Sequence, residues 1–119
     1  MSRFFEAVKL YNNADFFSAH DKFEELWTES GSDEKKFFQG LVQISVGSYH
    51  LVCGNKRGAL SQYKKGIEKL KEFAPFYYGV EVGKLVNEII ILLAYINEYF
   101  SEEISNFDLK KIPSIDLNT

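Results

Sequence analysis

One cysteine, Cys53, is all the sequence contains, so no internal disulfide can brace the fold and the hydrophobic core must hold it. Set in an apolar run, that thiol is expected to be a small buried hydrophobe of a protein in a reducing compartment. Proline is as scarce: Pro75 and Pro113 fall only where helical periodicity stops, which leaves long windows free for helices. Charge of one sign is lacking too. A net charge of −3 is too mild to call for a polyanion, and no nucleic acid is expected as partner despite the lysines of "KRGALSQYKKGIEKLK". The longest uncharged run, "FFQGLVQISVGSYHLVCGN", is interrupted by Gln39, Gln43, Ser45, Ser48 and His50, which fits a buried helix and not a membrane span. The start "MSRFFEAVKL" carries Glu6 and Lys9 and does not read as a signal peptide. The expected location is the cytoplasm, or the plastid stroma for a chain from a plastid lineage, without membrane association.

Aromatic residues are plentiful. Eleven Phe and 7 Tyr help raise the hydrophobic fraction to 45%, which excludes disorder, and 119 residues suit one domain spanning 1–119. Hydrophobic periodicity predicts an all-α fold, a compact bundle of about five helices built from antiparallel αα hairpins. The helices are expected at about Arg3–Tyr11, Asp15–Glu29, Glu34–Cys53, Lys56–Phe73 and Val82–Phe100. Asn12-Asn13 breaks the first, Gly31 follows the second, Gly54 supplies a left-handed end to the third, and Asn55 caps the fourth. The third helix is apolar nearly all round and is placed at the centre. A core of about 3–101 is followed by an irregular tail, 102–119, that docks on the bundle. Ala19 with Phe23, and Ala59 with Tyr63, form a weak internal repeat that suggests two hairpins of similar build.

On the second helix, His20 and Glu24 share the arc of Phe16, Phe23 and Trp27 at about 100° per residue. On the third, Gln39, Gln43 and His50 form one line, with Val46 and Gly47 beside it, and Gly40 and Gly47 remove side-chain bulk, which permits close helix approach or leaves space for a ligand. Buried polar groups need partners, so the two lines are expected to meet inside the bundle. Three chemistries fit this stripe. One is a structural hydrogen-bond network. Another is a divalent-metal site with His20, Glu24 and His50 as ligands, although the spacing is neither that of zinc proteases nor of di-iron bundles. The third is a hydrolase-like acid–base site in which His20, Glu24 and His50 are catalytic and Trp27, Gln39, Gln43 and Asn55 bind a small molecule. Burial of His20 and Glu24 would make each alanine substitution cost about 1–3 kcal/mol. Set against these is a non-enzymatic module that binds a protein or a second copy of itself, with Phe76 and Tyr77 of "FAPFYYG" as exposed aromatics.

The segments "FFSAHDKFEELW", "FFQGLVQISVGSYHLVCGNKRGA" and "YYGVEVGKL" resemble the signature of the domain of unknown function 309 family, small helical proteins of bacteria, archaea and plastid lineages. The resemblance spans about Phe4 to Leu85. It carries over His20, Glu24, Trp27, Gln39, Gly40, Gln43, His50, Gly54, Asn55, Gly58, Ala59, Gly79, Val80 and Val82. Asp21 stands where the family often has Glu, and Glu81 where Asp would be the better helix cap. The resemblance implies a compact helical fold and no established activity.

Overall fold

The computed structural model describes residues 2–101 and 103–118; positions 102 and 119, the two ends of the expected tail, lie outside the described residues. Helix α1 (Arg3–Asn12) begins where the Ser2 hydroxyl accepts from the Phe5 amide at 3.1 Å. The chain then reverses through Ala14 (φ 65°) into α2 (Phe16–Glu29), capped by the Asp15 carboxylate. Helix α3 (Ser32–Val52) starts two residues earlier than expected. Gly54, at φ 79°, turns the chain, and Asn55 accepts from the Gly58 amide at 3.0 Å to open α4 (Lys56–Leu70). Ahead of Pro75 the last expected turn of α4 tightens into a 3₁₀ turn, Lys71–Phe73. Helix α5 (Val82–Tyr99) follows, and its cap position, Glu81, makes no side-chain cap bond. Glutamate reaches past the amides that the shorter aspartate would bond. No helix among the described residues is long and apolar enough to cross a membrane.

Helix α3 packs between α2 and α4, antiparallel to both. Phe17 meets Tyr49 (ring centroids 5.6 Å apart) and Trp27 meets Lys35 at the other end of the α2–α3 pair. Toward α4, Gly40 lies against Gly66 and Leu70, and Gly47 against Tyr63. A Cβ built on Gly66 would stand 2.6 Å from Ile44 and 3.1 Å from the Gly40 carbonyl oxygen, so the glycines let two backbones nearly touch. Gly40 and Gly47 therefore serve close helix approach and leave no room for a ligand there.

The core contains a hydroxyl chain that periodicity alone did not reveal. Tyr11 of α1 and Tyr63 of α4 both bond Ser48 of α3, at 2.9 and 2.6 Å. Burial pushes both phenols well above their usual range, Ser48 opposing the shift in each. Ser48→Ala leaves two buried phenols without that partner, and an expected loss of about 2 kcal/mol follows. Denaturant titration measures it, and a smaller loss in the Tyr11→Phe/Ser48→Ala/Tyr63→Phe triple variant would identify unpaired hydroxyls as the cause.

The tail docks as expected. Ile104, Ile112 and Ile115 are buried, and the Asn12 amide holds Ile115 at both backbone atoms (3.0 and 2.8 Å). The Asp116 carbonyl accepts from the Glu81 amide, and the Asp116 carboxylate pairs with Lys84.

Two expectations are corrected. Cys53 is exposed, because it caps α3 at the turn into α4, outside the packed length of the helix. In "FAPFYYG" Phe76 is exposed as expected, but Tyr77 is half-buried, edge-on to Phe37 and tilted against Phe73, and it is Tyr78, which also meets Phe4 and Phe38, that is exposed beside Phe76.

Candidate functional site

The polar residues share one face of the molecule, but at its surface and not inside. On α2 the buried arc is centred on Ala19 and Phe23, about 80° round the helix from His20. Alanine at the centre lets α2 settle deeply there, which rotates His20 to the rim. The His20 side chain is 25% exposed and Glu24 51%. They pair through Nε2 and Oε2 at 3.1 Å, while Nδ1 lies 3.3 Å from Asp21.

On α3 the exposed and half-buried residues form a continuous arc, from Tyr49 and Lys35 on the α2 flank, through Val46, Gln39 and His50, to Gln43 and Lys36 on the α4 flank. The flanking contacts follow this order. Lys35 donates to the Trp27 carbonyl at 3.0 Å and sits over its indole, and Tyr49 meets Phe17, itself beside His20. On the other flank Lys36 pairs with Glu72, and Lys69 donates to Gln43 Oε1 at 3.0 Å. Bonding to the Cys53 sulfur pushes the Tyr49 phenol above its usual range.

Helix α4 presents a straight edge to this strip. Gly58 and Lys69, with Asn55 before the helix and Glu72 after it, touch α3, and Gln62 and Lys65 fall on the same line. His50 lies over Gly58, where a Cβ would come within 2.8 Å of its ring, and its Nδ1 is 3.4 Å from the Asn55 amide.

The stripe expected inside the bundle is thus a surface strip. Gln39, Gln43, Val46 and His50 are half-buried along α3, with Trp27 and His20 of α2 on one flank and Lys69 of α4 on the other. The structure pairs His20 with Glu24, but it turns His50 to Asn55 and Gly58 and Gln43 to Lys69. His20, Glu24 and His50 are not gathered around one point, and among the described residues no three His, Cys, Asp or Glu side chains are placed to hold an ion together. What the expectation missed is the seam: Gly40, Gly47 and Gly66 pull α3 and α4 together and fix which side of α3 is left open.

Residues 4–62 match the model of a family described as "Domain of unknown function (DUF309)". That span takes in α1, α2, α3 and the first half of α4, hence His20, Glu24 and the half-buried strip of α3. An uncharacterized protein of Aquifex aeolicus (strain VF5) is 25% identical over 81 residues, 67% of this chain and 24% of that protein. The chain thus spans about a quarter of the length of the curated relative it matches. Neither description names an activity.

Proposed function

We propose, for a chain whose family match contains the α3 strip, that the α2–α3–α4 face is a docking site for an extended segment of a partner protein. The observation that carries the proposal is the half-buried line of Gln39, Gln43 and His50 along α3, with Lys69 beside it. Gln39 offers a donor and an acceptor side by side, the complement of a peptide backbone, and Gln43 keeps its amide N–H to donate while its oxygen accepts from Lys69. In an extended segment side chains alternate, so acidic ones would reach Lys65 and Lys69 while basic ones reach Glu24. The chain is then a binding module, with His20, Glu24, Trp27, Gln39, Gln43, His50 and Asn55 as contact residues and a reducing cytoplasm as its setting.

Acid–base catalysis is the weaker use of the His20–Glu24 pair. General acid–base groups gain from a site that excludes water and fixes the substrate, and this pair lies at the surface with Glu24 half exposed.

Selection from a library of random linear peptides displayed on phage tests the proposal. Enrichment of segments with alternating acidic and basic residues is expected, with binding weakened about 10-fold or more by Gln43→Ala or Lys69→Ala. No enrichment, or binding indifferent to both changes, overturns it. His20→Ala and Glu24→Ala should each change unfolding free energy by less than about 1 kcal/mol, as a solvent-exposed pair would. This revises downward the cost expected of a buried pair, and thermal melts measure it.

A further inference from the structure

The solvent side of α5 carries an apolar centre on which none of the described residues packs. Ile91 is 69% exposed in mid-helix, with Ile90, Ala94 and Tyr99 exposed near it. A cleft of about 800 Å³ opens along one flank, between α5 and the tail.

The order of residues along this face is self-complementary. Taking Ile91 as centre, Lys84 and Glu98 lie seven residues to either side, within about 20° of the same line. Asn87 and Ala94 lie on one flank of that line, Glu88 and Tyr95 on the other. Reversing the helix about Ile91 exchanges Lys84 with Glu98, Asn87 with a place beside Ala94, and Glu88 with a place beside Tyr95. Two antiparallel copies would therefore set opposite charges face to face about 10 Å on each side of an Ile91–Ile91 contact, and would put the Glu88 carboxylate within reach of a phenol. The seven-residue spacing suits helices crossing at a small angle. Lys84 already pairs with Asp116, which holds it on the exposed face and leaves it further donors.

We propose that α5 pairs with α5 of a second copy of this chain, antiparallel about a two-fold axis at Ile91. The proposal is independent of the α2–α3–α4 face and of what docks there. The face closes on itself, so a dimer is the end point and not a filament.

Sedimentation equilibrium of the full chain is the test, expected to show a monomer–dimer equilibrium in the micromolar range. Ile91→Lys should raise the dissociation constant about 30-fold or more with the helical circular-dichroism signal unchanged, since the side chain is exposed in the monomer. Lys84→Glu and Glu98→Lys should each weaken the dimer about 3- to 10-fold by setting like charges opposite. The Lys84→Glu/Glu98→Lys double variant should recover it. An equimolar mixture of the two single variants should associate more tightly than either alone, because each supplies the charge the other lacks. A wild-type chain that stays monomeric to millimolar concentration overturns the pairing. So does a dimer indifferent to Ile91→Lys, and a dimer that Ile91→Lys breaks but the charge exchange does not restore overturns the antiparallel register.

Discussion

Phe37→Ala should lower the unfolding free energy by about 3–5 kcal/mol, the range for emptying a large aromatic from a packed interior. Phe37 is fully buried, and its ring lies 4.9 Å from Tyr77, 5.5 Å from both Phe38 and Phe73, and 6.4 Å from Phe4. It is the piece through which α1, the start of α3, the 3₁₀ turn and the connection into α5 meet. The neighbours come from separate elements held at other points, so they cannot close on the vacancy together. The upper half of the range is therefore expected. Phe76→Ala is the control: its ring is 55% exposed, and a change within about 0.5 kcal/mol is expected. Urea titration of the two variants decides it, and a Phe37→Ala loss below about 1.5 kcal/mol would mean that the surrounding rings refill the space.

Gly66→Leu should cost about 3 kcal/mol or more, because the obstacle is backbone. The added Cβ alone would meet Ile44 Cγ2 at 2.6 Å, the Gly40 carbonyl oxygen at 3.1 Å and the Ile44 nitrogen at 3.3 Å. Neither main-chain atom can turn aside, so α3 and α4 must separate along the seam that also carries Gly47 against Tyr63. Leucine gains about 1 kcal/mol in helix propensity over glycine, which makes the net loss a lower bound on the packing cost. Gly31→Ala makes the comparison, since nothing lies within 4 Å of a Cβ there. Chemical denaturation of both measures the difference. Equal stabilities would mean that the helices part without penalty.

The helices were legible in the sequence because their signals are local. Asn12-Asn13, Asp15, Gly31, Gly54, Asn55 and Pro75 each act within a turn of the chain, and all five helices begin and end within three residues of where such signals place them. The orientation of each helix about its own axis was less legible. On α2, Phe16, Phe23 and Trp27 bracket His20, and their bulk draws the apparent centre of the apolar arc toward it. The actual centre runs through Ala19, whose small side chain lets α1 and α3 come close. On α3 the source is the opposite: Gly40 and Gly47 fit either close helix approach or space for a ligand, and they are where α4 lies. Small residues mark contact as much as large ones do, but periodicity weighted by hydrophobicity undercounts them. The Tyr11–Ser48–Tyr63 chain was not legible, since it joins three helices and no single stretch of sequence contains it.

The Asn12 carboxamide holds Ile115 by both its amide and its carbonyl, across most of the length of the chain. Those two bonds, with the Glu81–Asp116 link beyond them, belong to the tail's docking and not to any helix. Peeling the tail away therefore frees a small set of amides while every helical ladder stays closed. In deuterated solvent the Ile115 amide would exchange through that opening, ahead of amides in the middle of α3 that wait for the whole bundle to unfold. A residue of the first helix would in this way set the rate at which the core beneath the tail becomes wet.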